Sequence, residues 1–180
     1  RFIPLAEHNG LIDQLTEVII SKSLRDGHLW EQTGLSLNLS MNLSTTSLIE
    51  GDLCNTLLNH CQRWSINPEL ITLEVTESAV MEDADTVIAQ LHRLRTLGIS
   101  LSIDDFGTGH ASLSQLVDMP ADTLKIDRRF VAAIPHHRQQ VKVLHTTLQL
   151  ARALNLTTVA EGVETDIQRK FLAKLGCPLM

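Results

Sequence analysis

The sequence alternates between segments with the spacing of strands and segments with the spacing of amphipathic helices, and this alternation limits the folds open to the chain. Apolar residues recur at every second position in the strand-like segments. We predict five strands, at 35–41, 70–75, 99–103, 123–126 and 156–160. Strands that alternate with crossover helices form a parallel sheet, so the pattern predicts an α/β fold.

Helical spacing fills the intervals between the predicted strands. We predict helices at 11–24, 48–64, 84–94, 112–117, 141–151 and 165–175. Gly98 follows the third of these helices and suits a C-terminal cap, because glycine adopts the left-handed conformation readily. Thr165 and Gln168 form the capping-box pattern that opens the last helix.

The number of strands and the length of the chain favour a barrel that is incomplete in this chain. A (β/α)₈ barrel has eight parallel strands in typically about 250 residues, whereas this chain has 180 residues. No GxGxxG pattern follows a strand, which argues against a dinucleotide-binding fold. The chain begins at Arg1 without an initiator Met and stops at Met180. We therefore predict one domain over residues 1–180, a TIM-like barrel truncated at both ends.

The composition narrows the classes of partner. A net charge of −6 argues against binding to a nucleic acid polymer, which needs basic surface. No apolar run approaches the length of a membrane span, about 20 residues, and no signal peptide is apparent. Cys54, Cys61 and Cys177 show no CxxC spacing, which suits a reducing cytoplasm. Cys54 and Cys61 are seven residues apart, and we expect both on one buried helix face.

The stretch with the clearest chemistry runs from Asp104 to Gly109, where two adjacent carboxylates precede a loop with two glycines. Neighbouring carboxylates repel each other unless a positive charge lies between them. A divalent cation supplies that charge, because hard cations bind carboxylate oxygen. The alternative is a surface Asp-Asp turn that caps a helix, and these residues alone do not decide between the two.

Polar residues follow every predicted strand. The carboxyl ends of parallel barrel strands meet on one face, where barrel enzymes place their active sites. Carboxylate and amide oxygens suit Mg²⁺ or Mn²⁺, and two such ions sharing Asp104 could activate a water to attack a phosphodiester. Lys125 could orient that water, or could simply form a strand-end salt bridge. The strand-end residues are Asn42, Glu74, Glu77, Asp104, Asp105, Lys125, Asp127, Glu161 and Glu164.

Four segments in order resemble the successive signatures of EAL domains: Glu74–Ser78, Asp104–Gly109, Leu124–Asp127 and Val159–Thr165. Residues 2–12 are similar to the family's early segment. The resemblance covers essentially the whole chain. It implies a bacterial phosphodiesterase on a TIM-like barrel that opens cyclic di-GMP to linear pGpG with Mg²⁺ or Mn²⁺.

The resemblance also implies a role for each matching residue. Asn42, Glu74 and Asp104 would bind one metal ion, and Asp104 and Asp105 would bind a second. Asn38 competes with Asn42, because Asn-Leu-Ser occurs at both positions. Lys125 and Glu161 would hold or deprotonate the attacking water, and Asp127 would contact a guanine. Glu164 would support the metal site, and Glu77 would anchor the 105–109 loop.

Two departures from the family pattern bear on activity. The Glu-Ala-Leu triplet that names the family, and a Gln that would follow Met180, are absent from this chain. His110 stands where the family usually has Tyr.

We expect the complete domain to be an active phosphodiesterase, and we expect residues 1–180 alone to be weakly active or inactive. The alternatives are an inactive EAL domain that binds cyclic di-GMP or docks a partner protein, and an unrelated barrel metalloenzyme. The resemblance further implies homodimers and accompanying sensory or GGDEF domains.

Overall fold

In the computed structural model, residues 2–49, 51–79, 83–107 and 113–180 are described, and they form an α/β fold with five parallel strands. The strands lie in the sheet in chain order. They are β1 Leu39–Asn42, β2 Ile71–Thr76, β3 Ser100–Phe106, β4 Thr123–Ile126 and β5 Thr157–Ala160. The helices are α1 Ile3–His8, α2 Ile12–Gln32, α3 Thr45–Ile49, α4 Leu53–Trp64, α5 Ala84–Thr96, α6 Leu113–Asp118, α7 Arg128–Ala132, α8 Arg138–Ala153 and α9 Asp166–Lys174.

The chain divides into two compact units, and the first contains residues 1–75 and 82–101. Here β1 pairs in parallel with β2, and Asn42 lies opposite Glu74. Leu39 and Met41 of β1 are buried and alternate with exposed positions, as a strand with one covered face requires. The core of this unit includes the fully buried side chains Ile20, Leu24, Leu57, Leu91 and Leu94.

The second unit contains residues 76–81 and 102–180. Its strands β4 and β5 pair in parallel over their whole lengths, from Thr123 opposite Thr157 to Ile126 opposite Ala160. A buried cluster lies on this pair of strands and includes Val131, Ile134, Leu144, Leu148 and Leu172. The helix stripe predicted at 141–151 therefore faces this core, although its first residue, Val141, is only partly buried.

The capping box predicted for the last helix is present. The Thr165 side chain accepts a hydrogen bond from the Gln168 N–H, and the Gln168 side chain accepts one from the Thr165 N–H. Cys54 and Cys61 are both buried on α4, as their spacing predicted. None of the helices in the described part of the chain combines the length and the apolar character that a bilayer crossing requires.

Several predicted elements have different bounds in the structure. The first strand begins at Leu39 instead of Leu35, because its pairing with β2 begins at Ile71. The residues just before Ile71 form a turn of 3₁₀ helix, so residues 35–38 have no β2 residues to pair with. The helix predicted at 48–64 is two helices that are separated at Gly51 and Asp52, two residues with low helix propensity.

The helix predicted at 11–24 continues to Gln32. Its next buried position is Gly27, which packs so closely on Leu39 that a Cβ there would lie 2.7 Å from Leu39 Cδ1. A search for large apolar residues does not detect such a position. The third strand extends past Ile103 to Phe106 and so includes both aspartates.

Candidate active site

In the first unit, Asn42, the last residue of β1, lies opposite Glu74, which is two residues before the end of β2. Glu74 is buried, with 9% of its surface exposed, and its Oε1 accepts a hydrogen bond of 2.5 Å from Ser40 Oγ. Its main-chain carbonyl accepts from the Leu43 N–H at 2.9 Å. Asn38 lies before β1 begins, at the opposite end of the strand from Asn42. The strand geometry therefore pairs Asn42, and not Asn38, with Glu74.

In the second unit, Asp104 and Asp105 lie on a bulge of β3. Ile103 pairs with Leu124 and Phe106 with Ile126, so β3 contains one more residue than β4 over this interval. Asp105 takes up the extra length in the left-handed conformation, with φ of 53°, and its N–H donates to Asp104 Oδ1 at 2.9 Å. Bulges of this kind change the direction of side chains next to active sites.

The ammonium group of Lys125 lies between two of the predicted carboxylates. Its Nζ is 3.2 Å from Asp104 Oδ1 and 2.7 Å from Glu161 Oε1. The side chains of Lys125 and Asp104 are each only 14% exposed, so water screens this ion pair less than one on the surface. Three predicted site residues from β3, β4 and the end of β5 are thus brought together by direct contact.

Asp105 and Asp127 form a second pair of carboxyls in this unit. Burial and the neighbouring negative charges of Asp104, Asp127 and Glu161 raise the pKa of Asp105, which donates a hydrogen bond to Asp127. Burial would also raise the pKa of Asp127, but hydrogen bonds from Arg129 and from Asp105 outweigh it and lower that pKa. The Arg129 N–H and Nε donate to Asp127 Oδ1 at 2.7 and 2.9 Å.

Glu77 holds the start of the loop that follows the two aspartates. Its buried carboxylate accepts a hydrogen bond of 2.8 Å from the Gly107 N–H, and its own N–H donates to the Asp104 carbonyl at 3.2 Å. The rest of that loop, including Thr108, Gly109 and His110, lies outside the described residues. The role predicted for Glu77 as an anchor of the whole loop stays a prediction.

Glu164 is the predicted site residue with the weakest structural connection to the others. It lies in the segment between β5 and α9, its side chain is exposed, and its main-chain N–H donates to Gln168 Oε1 at 2.9 Å. Its predicted support of a metal site therefore stays a prediction.

The donor chemistry of both units fits a hard divalent cation. Each unit presents carboxylate or amide oxygens, the ligands that Mg²⁺ and Mn²⁺ prefer. Burial and then crowded negative charge raise the pKa of Asp105, and a cation would offset that charge. Among the described residues, no group of three or more His, Cys, Asp or Glu side chains is close enough to hold a metal ion by itself.

Three side chains that contact the predicted residues or their loop were not predicted from the sequence: Ser40, Arg129 and Phe130. The Phe130 ring covers Gly107, where a Cβ would lie 2.8 Å from the ring atom Cε2. Arg129 could have been found as the N2 residue of a helix that Asp127 caps. Ser40 shares a strand face with Asn42, two positions away, which was the available signal.

Comparisons with known proteins agree on one family. A sequence model described as EAL domain matches residues 1–180. The chain is 42% identical over 178 residues to the Pseudomonas aeruginosa protein named bifunctional diguanylate cyclase/cyclic di-GMP phosphodiesterase MucR. It is 39% identical over 181 residues to that organism's cyclic di-GMP phosphodiesterase NbdA. These alignments cover 98% and 100% of this chain, but only 26% and 23% of the relatives' lengths.

Solved structures with the same fold include the PaMucR phosphodiesterase in complex with c-di-GMP, with a TM-score of 0.92 at 42% identity. That match covers 98% of this chain and 72% of the other. The EAL enzyme Bd1971 with cAMP and cyclic di-GMP bound gives a TM-score of 0.90 at 30% identity, over 98% of this chain and 49% of the other. EAL domains have the TIM-like barrel fold, so the predicted fold class is confirmed.

Proposed function

Because this chain belongs to the EAL domain family, we propose that it hydrolyses cyclic di-GMP to linear pGpG in a reaction that requires Mg²⁺ or Mn²⁺. The observation that carries the proposal is the position of Lys125 between Asp104 and Glu161. An ammonium group held between two strand-end carboxylates can orient a water and stabilise charge on a phosphodiester. The relatives MucR and NbdA, whose names include this activity, support the same reaction.

The metal site would be formed by Asn42, Glu74, Asp104 and Asp105, which all offer oxygen. When bound, divalent ions in such sites lower the pKa of water and offset the charge of the reacting phosphate. Within each unit the proposed ligands have restricted freedom: the Glu74 carboxylate is buried and hydrogen-bonded, and a bulge of β3 carries Asp104 and Asp105. Restricted side chains lose less entropy when they bind an ion.

Lys125 and Glu161 would act on the attacking water. In our proposal the Glu161 carboxylate accepts the proton of the water, while the Lys125 ammonium keeps Glu161 oriented through their 2.7 Å contact. Asp127 would recognise a guanine, because a carboxylate can accept hydrogen bonds from the N–H groups of that base. Arg129 fixes the carboxylate of Asp127 in position.

The family resemblance and the unpaired thiols of all three cysteines support a cytoplasmic location for this reaction. Further domains in the parent protein would control the activity. The support for such domains is that the chain spans about a quarter of the length of MucR and NbdA.

The test is hydrolysis of cyclic di-GMP by the purified protein in Mg²⁺ or Mn²⁺, with pGpG measured by chromatography. We expect Asp104→Asn to reduce the rate about a thousandfold, because metal ions supply several kcal/mol of transition-state stabilisation and each 1.36 kcal/mol is a factor of ten. Asp26→Asn is the matched control, since Asp26 contacts Arg25 at the surface of α2.

Two results would contradict the proposal. Activity of Asp104→Asn within a few-fold of the wild type would exclude the assigned metal ligand. Tight binding of cyclic di-GMP without any pGpG would indicate instead that the domain is a receptor for the dinucleotide, which was the alternative that the sequence left open.

A further inference from the structure

The Ser40 hydroxyl is hydrogen-bonded to Glu74, one of the proposed metal ligands. Its Oγ donates to Glu74 Oε1 at 2.5 Å, which lies in the range of hydrogen bonds from hydroxyls to carboxylates. The two residues are 34 positions apart in the sequence and belong to neighbouring strands of the first unit. The contact therefore depends on the parallel pairing of β1 with β2.

The position of Ser40 follows from the pleat of β1. Ser40 and Asn42 face the same side of the strand, because side chains alternate, and their partners Thr72 and Glu74 face that side of β2. The opposite side carries the buried Leu39, so Ser40 is not part of the apolar core. A serine at this position has no packing role that explains it, whereas its hydroxyl has a direct contact with a buried carboxylate.

The acceptor of this hydrogen bond is buried, although its donor lies at an exposed position of β1. Glu74 is only 9% exposed, so few donors reach its carboxylate, and Ser40 is one of them. Groups that hydrogen-bond to ligating side chains fix their orientation, and loss of one typically reduces metal affinity about 10- to 100-fold.

We propose that Ser40 is a positioning residue that orients the Glu74 carboxylate for a divalent cation. This inference rests on the proposed function and extends it to a residue beyond those that the family resemblance assigned. Ser40 acts through Glu74 and would not contact the substrate or the ion. Its removal should therefore weaken metal binding while the fold is retained.

The chain offers a matched control on another strand. Ser102 stands two residues before Asp104, as Ser40 stands two residues before Asn42, but its buried Oγ makes no hydrogen bond with any described residue. Removal of a hydroxyl that has no partner costs little and can even stabilise a protein. Ser102→Ala should therefore leave metal affinity unchanged, in contrast to Ser40→Ala.

The experiment is a titration of the substrate-free protein with Mn²⁺, with free Mn²⁺ followed by electron paramagnetic resonance and folding checked by circular dichroism. We expect Ser40→Ala to raise the Kd for Mn²⁺ at least about tenfold. Ser40→Thr, which keeps the hydroxyl and suits a strand, should restore the affinity. In a Glu74→Gln background, Ser40→Ala should have no further effect, because its target carboxylate is gone.

The outcomes separate this inference from the proposed function. If the wild type binds no Mn²⁺, the metal site in the proposed function is wrong and the role of Ser40 is lost with it. If the wild type binds Mn²⁺ and Ser40→Ala binds it equally well, only the role of Ser40 is refuted. An additional loss from Ser40→Ala in the Glu74→Gln background would also refute it, since the effect would not pass through Glu74.

Discussion

Gly107 allows a test of how tightly the start of the loop after β3 is packed in the second unit. Its φ is +90°, a value that side chains with a Cβ rarely adopt, and its N–H donates to Glu77 Oε2. A Cβ at Gly107 would lie 2.8 and 2.9 Å from Cε2 and Cζ of Phe130. Gly107→Ala therefore imposes two separate costs, one on the backbone and one on packing.

The magnitudes of the two costs follow from the structure. The left-handed backbone costs an alanine about 1–2 kcal/mol, and overpacking against a partly buried ring that packs on the core costs about 1–3 kcal/mol more. We expect Gly107→Ala to lower the free energy of unfolding by about 2–5 kcal/mol, the sum of these two ranges. Phosphodiester hydrolysis should fall as well, because the contact between Gly107 and Glu77 shifts.

Gly34→Ala isolates the backbone cost. Gly34 has φ of +85°, and a Cβ there would meet no atom within 4 Å. Urea denaturation should show a loss of about 1–2 kcal/mol for this variant. In a Phe130→Leu background, Gly107→Ala should cost no more than Gly34→Ala, because the ring atoms that it would contact are gone. Equal losses for Gly34→Ala and Gly107→Ala in the native background would refute the packing argument.

Two further predictions concern the carboxylates. Asp105→Asn should raise the melting temperature of the EDTA-treated protein at pH 7. The pKa of Asp105 is raised in the folded protein, so its ionised form destabilises the fold and an uncharged amide should be more stable there. This increase in melting temperature should shrink as the pH falls toward 3.8, where the wild-type carboxyl becomes protonated. A gain that persists there would exclude ionisation as the cause. Glu77→Ala should lower hydrolysis about tenfold with an unchanged Mn²⁺ Kd, because Glu77 supports Gly107; an equal loss of Mn²⁺ affinity would instead make it a metal ligand.

The family signatures allowed most of the candidate residues to be found without coordinates. Strand periodicity predicted β4 correctly and β2 and β5 to within one residue, because the alternation of apolar residues that it detects is a local property of each strand. Asp104, Lys125 and Glu161 were predicted as polar residues at the ends of the third, fourth and fifth predicted strands, and Lys125 contacts both carboxylates.

Other features depend on contacts between residues far apart in the chain. The periodicity of Leu35, Leu37, Leu39 and Met41 is continuous, yet β1 includes only the last two of these, because pairing with β2 begins at Ile71. The bulge at Asp105 arises from the mismatch between β3 and β4, which neither strand shows alone.

The sequence by itself determined the alternation of strands and helices, and it determined which residue types follow each strand, because both depend on local spacing. Tertiary structure decided which of those residues contact one another. The hydrogen bond from Ser40 to Glu74 spans 34 positions and that from Gly107 to Glu77 spans 30. Such contacts require parallel strands to meet, and parallel strands are joined only through long crossovers, so short-range patterns do not contain them.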